Sequence, residues 1–164
     1  MADTEDDILD LIPTLRRYAR SLSRDRHDAE DLVQDSVEAA LSHIGGWRGI
    51  NLRGWLLTIM TNLHRGRRRR AASRPRLVEL SQAGQIAQPA PDPLEMERLK
   101  AAIDILPPQQ RIVLMLVVVE GYSYAEVAAM VGIPLGTVMS RLSRARHSVA
   151  DSINGRNVVD MRNS

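Results

Sequence analysis

Six carboxylates are concentrated between residues 25 and 38 of this 164-residue chain. Asp28, Asp31 and Asp35 follow at intervals of three and four residues, so a helix would place them on one face. Such a face could pair carboxylates for acid–base catalysis, hold a metal ion, remain solvated, or dock a basic partner. We favour docking, because nothing nearby supplies the rest of an active site.

The histidines and cysteines of the chain give catalysis and metal binding little support. The chain has no cysteine, which excludes a disulfide framework, a thiolate nucleophile and a cysteine-based zinc site. Its histidines show no metal-ligand spacing and are predicted to be surface residues: His27, His43, His64 and His147. We therefore expect no metal, no cofactor and no enzymatic activity.

A second concentration of charge is basic, in the run HRGRRRR from His64 to Arg70. It is either a disordered cationic tail or the end of a helix that lies along nucleic acid, and its position favours the helix. Trp47 and Trp55 precede it and could stack on unpaired bases, which contributes about 1–3 kcal/mol per base. Helical spacing makes Trp55 a core candidate as well, whereas Trp47, in the GGWRG loop, is the freer of the two.

A third pattern, GYSYAEVAAMVGIPLGTVMSRLSRAR from Gly121 to Arg146, predicts a helix-turn-helix. Ser123 and Glu126 have the spacing of a capping box at the start of the first helix. Gly132 suits a left-handed backbone at its end, and Pro134 suits the first turn of the next helix. The inward face of the first helix is predicted to be Tyr124, Val127, Ala128 and Val131.

The second helix of this pattern carries arginines away from its apolar stripe. The stripe is predicted to be Val138, Leu142, Ala145 and Val149. On or near the outer surface lie Thr137, Ser140, Arg141 and Arg144, which can bond phosphates and base edges. An ordinary helical hairpin with solvated arginines is the alternative, but the cap, the turn and the charges all favour DNA binding.

Helical periodicity accounts for the rest of the fold, which is predicted to be all-α. One helix spans Ile8 to Leu22, a second begins with Asp28 as its N-cap, and a third starts near Leu52. The inward residues of the third helix are predicted to be Trp55, Leu56, Ile59, Met60 and Leu63. We expect a helical bundle over residues 1–70, a mobile linker over 71–93, a four-helix domain over 94–154 and a tail over 155–164.

Composition limits the compartment and the partners. Hydrophobic residues make up 44% of the chain, which excludes wholesale disorder. Residues 1–38 hold 11 of the 20 acids, whereas residues 39–78 hold nine arginines and no acid. The N-terminus is acidic and no apolar run approaches the roughly 20 residues that span a bilayer. We expect a cytoplasmic protein without membrane insertion.

Three segments together carry a family resemblance: HDAEDLVQD, NLRGWLLTIMTN, and LPPQQRIVLMLVVVEGYSYAEVAAMVGIPLGTVMSRLSRAR. Over almost its whole length the chain resembles the extracytoplasmic function (ECF) group of bacterial sigma factors. The NLRGWLLTI segment leans toward the general stress group of alphaproteobacteria. The resemblance implies three partners, which are core RNA polymerase, promoter DNA and an anti-sigma factor.

The resemblance also implies roles for individual residues. Polymerase binding falls on Asp28, Asp31, Leu32, Gln34 and Asp35. Capture of the melted −10 element falls on Trp47, Arg48, Asn51, Trp55, Asn62, Arg65, Arg67 and Arg68. Reading of the −35 element falls on Thr137, Met139, Ser140, Arg141, Arg144 and Arg146. Two departures are notable: the family commonly has Lys or Arg where this chain has Met139, and the docking helix has no aromatic residue.

Two rival functions make different predictions. A sigma-like module that only sequesters an anti-sigma protein would not need its DNA-facing arginines. A stand-alone helix-turn-helix regulator would bind duplex operators without polymerase and would not need the acidic helix. The chain has both features, which favours a sigma factor over either rival.

Overall fold

The computed structural model describes residues 2–72 and 92–162, with side chains from residue 3 to residue 155. Helices and short turns make up these ranges, and no strand occurs in them, which confirms the all-α prediction. The chain divides into two compact units, one containing residues 2–72 and the other residues 92–162. The linker predicted for residues 71–93 lies almost wholly outside the described ranges.

The N-terminal unit consists of four α-helices and one 3₁₀ turn. They are α1 (Ala2–Asp10), α2 (Ile12–Leu22), α3 (Arg26–His43), the turn Ile44–Gly46, and α4 (Leu52–Ala72). α3 packs against both α2 and α4. In the core between α2 and α4, the Tyr18 hydroxyl lies 2.8 Å from the Thr61 hydroxyl, and both side chains are fully buried. This hydrogen bond fixes α4 relative to α2.

Two helix boundaries in this unit differ from the predicted ones. The predicted first helix is interrupted at Leu11, and α2 begins beyond it with a proline, Pro13, in its first turn. α3 begins at Arg26, with Asp25 as its cap; the Asp25 carboxylate accepts a hydrogen bond from the His27 N–H at 3.0 Å. The prediction of Asp28 as N-cap is therefore wrong, and Asp28 lies within the first turn, where the helix dipole favours negative charge.

The buried face of α4 is rotated from the predicted one. Leu56 and Met60 are fully buried as predicted, whereas Trp55, Ile59 and Leu63 are only half-buried. His64, which was expected at the surface, is only 7% exposed. The reason is that α4 packs on two neighbouring helices, so a broad strip of its circumference is covered. The other buried positions of α4 are Gly54, Leu57 and Thr61.

The C-terminal unit also contains four α-helices. They are α5 (Pro93–Asp104), α6 (Pro108–Leu114) with a π-helical turn at Met115–Val119, α7 (Tyr124–Val131) and α8 (Leu135–Arg162). α5, α6 and α7 all pack on α8, which continues beyond residue 155, where a tail was predicted. Among the described helices none is singly long and apolar enough to cross a bilayer; only α7 with residues 135–155 of α8, taken together across a 105° bend, reach that length and composition.

A buried arginine that the sequence did not reveal holds α5 to α6. Arg111 is 3% exposed, and its guanidinium donates to the carbonyls of Ile103 at 3.1 Å, Asp104 at 2.6 Å and Leu106 at 2.9 Å. These carbonyls belong to the end of α5 and the loop after it, where the helix provides no backbone N–H groups to bond them. Arg111 thus supplies the missing donors and sets the path of the chain into α6.

Candidate nucleic-acid and polymerase interfaces

α3 presents the predicted docking carboxylates to solvent. Asp28, Asp31, Gln34 and Asp35 are exposed, and Asp31 lies 3.7 Å from the His27 imidazole. Leu32 is fully buried and its side chain supports the helix from within the core, whereas its assignment to polymerase binding stays a prediction. Among the described residues no three or more His, Cys, Asp or Glu side chains converge as a metal site would require.

An ion pair joins the acidic helix to the basic one. The Arg67 guanidinium of α4 binds the Asp35 carboxylate of α3, and the two side chains are 32% and 51% exposed. One partner was predicted to bind polymerase and the other to bind DNA. In the free chain the two charges therefore partly compensate each other.

The loop between α3 and α4 is held by a contact within the loop and by a contact with the start of α4. The Trp47 indole N–H donates to the Ile50 carbonyl at 3.2 Å, and the centroids of the Trp47 and Trp55 rings are 6.2 Å apart with a 31° tilt. Both rings are half-buried, so each keeps a part of its surface accessible. Arg48 and Ile50 are exposed on this loop, and Gly49 takes a left-handed φ of +76°.

Asn51 ends this loop and caps α4. Its backbone φ is +51°, and its side-chain oxygen accepts a hydrogen bond from the Gly54 N–H at 3.0 Å. A Cβ atom at Gly54 would lie only 2.3 Å from the Asn51 amide nitrogen. The absence of a side chain at Gly54 is therefore what allows Asn51 to occupy the cap.

Beyond the cap, α4 carries one stripe of aromatic, amide and basic side chains. Trp55 and Asn62 are seven residues apart, so they share a face about 10 Å apart along the helix axis. The same periodicity adds Arg65 and Arg69, and we call these four residues the α4 stripe. Asn62 and Arg69 are exposed, whereas Trp55 and Arg65 are half-buried. Arg67 does not belong to the stripe, because it turns toward α3.

The C-terminal helix-turn-helix has the predicted local geometry. The Glu126 N–H donates to the Ser123 hydroxyl at 3.1 Å, and the Ser123 N–H donates to the Glu126 carboxylate at 2.7 Å, which confirms the capping box. Gly132 ends α7 with a left-handed φ of +72°. The chain then turns and enters α8 at Leu135, so Pro134, which was predicted for the first turn of this helix, immediately precedes it.

α8 separates an apolar inner stripe from a basic outer face, as predicted. Val138, Leu142 and Ala145 are at most 2% exposed, and Val149 is half-buried. The exposed predicted contacts are Met139, Ser140, Arg144 and Arg146, and the half-buried ones are Thr137 and Arg141. No acidic residue occurs between residues 135 and 150, so the outer face has an unopposed positive charge along the chain.

Two apolar residues beside this face were not predicted as part of it. Tyr124, predicted to point inward, is 36% exposed, because it opens α7 and no preceding turn covers it. Leu135, the first residue of α8, is 49% exposed. The sequence could have indicated this, because Leu135 directly follows Pro134 and therefore belongs to the first turn of the recognition helix. The first turn of such a helix projects toward base edges.

Each unit matches a different family model. Residues 8–61 match the Sigma2 domain of PhyR, and residues 96–148 match Sigma-70, region 4. The ECF RNA polymerase sigma factor EcfG of Rhodopseudomonas palustris is 42% identical over 156 residues, which cover 88% of this chain and 82% of the relative. The chain belongs to the ECF family of RNA polymerase sigma factors. This family is not enzymatic.

More distant sigma factors share the same architecture. SigM of Mycobacterium tuberculosis is 34% identical over 137 residues, covering 83% of this chain and 69% of the relative. The solved structure of the sigma factor RpoE with the anti-sigma factor NepR from Bartonella quintana matches with a TM-score of 0.82 at 33% identity, covering 94% and 98% of the two chains. CnrH in complex with the cytosolic domain of CnrY matches with a TM-score of 0.66 at 26% identity, covering 92% and 86%.

Proposed function

We propose that this sigma factor docks on core RNA polymerase through α3 and reads two promoter elements with two different helices. The observation that carries the proposal is the α4 stripe, which combines stacking, hydrogen-bonding and cationic side chains on one face. A duplex-binding regulator needs no such face, because bases inside a duplex cannot stack on protein rings. A second DNA-reading helix, α8, belongs to the other unit.

Polymerase docking is assigned to the exposed polar residues of α3. Asp28, Asp31 and Asp35 form a negative face supported from inside by buried Leu32. Complementary charge steers association and fixes orientation, so a basic surface of polymerase is the partner that suits this face. Gln34 adds an uncharged hydrogen-bonding group to it.

The loop before α4 and the α4 stripe are assigned to the melted −10 strand. The Trp47–Trp55 pair offers an aromatic surface, and Asn62 on the same helix face can bond the edge of an unpaired base. Arg48, Arg65 and Arg68 supply positive charge for the phosphates around that base. The N-terminal unit would therefore hold the strand that has left the duplex.

α8 is assigned to the major groove of the −35 element. Its first turns carry Met139 and Ser140 toward base edges, while Thr137, Arg141, Arg144 and Arg146 can reach phosphates or guanines. Under this assignment, residues 94–154 recognise the upstream −35 element and residues 1–70 recognise the downstream −10 element. A linker between them would let one chain contact both elements.

Regulation and location follow from the same assignment. Two of the similar solved structures contain anti-sigma factors, and we infer that an anti-sigma factor also holds this chain until a signal releases it. The likeness to EcfG supports a role in the general stress response. Because core polymerase is its partner, the chain would act in the cytoplasm.

Reconstitution with core RNA polymerase tests this function. The purified chain is mixed with core enzyme and a promoter library, and run-off transcripts are sequenced. We expect a stable complex with core and a common pair of upstream and downstream elements among the start sites. A chain that never associates with core, yet binds a duplex tightly, would instead be a stand-alone regulator.

A further inference from the structure

The outer face of α8 has two edges of different chemistry. With 100° between successive residues, Ser140, Arg144 and Thr137 fall along one edge. Leu135 and Met139 fall along the other, four residues and one turn apart, and Arg146 follows on the same edge two turns beyond Met139. Leu135 and Met139 are 49% and 51% exposed, so neither side chain has a role in the described core. The recognition helix thus presents an exposed apolar pair beside its basic residues.

The surroundings of Met139 fit a small apolar group beside an anionic backbone. Met139 lines an open cleft of about 290 Å³ whose other walls are Tyr124, Leu142, Ser143, Arg146 and His147. An apolar wall and an arginine therefore meet in the same cleft. The thioether of methionine is flexible and polarizable, and adapts to small apolar groups.

We propose that Leu135 and Met139 read the C5-methyl groups of thymines in the major groove of the −35 element. The thymine methyl is the apolar feature that a base pair of unmodified DNA presents in that groove. The absence of acidic residues between residues 135 and 150 favours DNA over a protein occupant, since phosphates must pass on both sides of the helix. The inference rests on the assignment of α8 to the −35 element, and it adds which bases are preferred.

Replacing thymine by 2′-deoxyuridine tests the contact one methyl group at a time. Holoenzyme made with the full chain first selects promoters, and each thymine of the upstream element is then replaced singly. We expect one or two replacements to weaken holoenzyme binding about three- to tenfold, the range expected for one buried methyl group. In Met139→Ala or Leu135→Ala holoenzyme, thymine and uracil should bind equally at the corresponding position.

Arg144→Ala is the matched control from the opposite edge of the same helix. It should weaken binding to all duplexes while leaving the thymine-to-uracil ratio unchanged. Wild-type holoenzyme that binds its promoters without distinguishing thymine from uracil would overturn the methyl contact and leave the proposed function intact. Holoenzyme that binds no promoter at all would contradict both.

Discussion

Gly54 and Asn51 show how single residues determine the loop that precedes α4. Asn51 can cap the helix only because Gly54 has no side chain, since a Cβ there would lie 2.3 Å from the Asn51 amide nitrogen. Gly66, in the same helix, has no such constraint: a Cβ there would meet only the end of Arg70, at 4.0 Å. The two glycines therefore offer a matched comparison.

Gly54→Ala should destabilise the N-terminal unit relative to Gly66→Ala. Alanine at residue 66 should raise the free energy of unfolding by about 0.5–1 kcal/mol through helix propensity. At residue 54 the same gain is offset by loss of the cap, which costs about 0.5–2 kcal/mol. Urea unfolding followed by tryptophan fluorescence measures this unit selectively, because both tryptophans, Trp47 and Trp55, belong to it. Equal stabilisation by both substitutions would contradict the role of Gly54.

Local chemistry decided which residues could be predicted from the sequence. The capping box of Ser123 and Glu126 was predictable because its partners are three residues apart. The burial of His64 and the exposure of Tyr124 were not, since they depend on which neighbouring element covers a given part of the helix. Leu32 was assigned to polymerase binding from a motif. The motif indicates that the segment is a helix, but it does not indicate which of its side chains are buried.

At the scale of elements, α3 and α4 bring an acidic face beside a basic helix. The pair between Asp35 and Arg67 spans these helices, and both side chains remain partly exposed. An exposed pair of this kind contributes about 0.2–1 kcal/mol. That amount cannot hold the fold, but it is enough to compete with a DNA phosphate for Arg67. Docking of Asp35 on polymerase would release the guanidinium.

Asp35→Asn should therefore raise the affinity of the free chain for single-stranded DNA about two- to fivefold. Asp31→Asn is the matched control, because it removes the same charge from the same helix and its carboxylate is also 51% exposed, but it leaves the Arg67 pair intact. Fluorescence anisotropy with a labelled oligonucleotide measures both, and Arg67→Gln should abolish the gain in the Asp35→Asn background. Equal gains in the two single variants would indicate a general charge effect and contradict release of Arg67.

At this scale, the sequence predicted which segments form helices, but it did not predict which helices contact each other. Apolar periodicity predicted α3, α4, α7 and α8, whereas the interruption at Leu11 depends on how the chain turns toward the next helix. Arg111 illustrates the same limit. Its hydrogen bonds to three carbonyls require that the start of α6 lie against the end of α5. The spacing of residues in the sequence does not predict that contact.

At the scale of the whole molecule, the proposed function is divided between two units. The loss of periodicity after Arg70 predicted this organisation, and the two family models match the two units separately. In the proposed function, the helix-turn-helix accounts for duplex binding and not for strand opening. That second task is assigned to Asn62 and its neighbours on α4, in the other unit.

The most direct test of this division compares Asn62→Ala and Arg144→Ala holoenzymes on one promoter. Footprinting reports occupancy of the −35 element, and permanganate reactivity reports strand opening. Arg144→Ala should reduce −35 occupancy about tenfold or more, as expected for loss of a base-edge or phosphate contact. Asn62→Ala holoenzyme should still occupy the −35 element but should fail to open the DNA strands. A template whose −10 element is already melted should restore transcription by this variant. Equal loss of occupancy and opening in both variants would contradict the account.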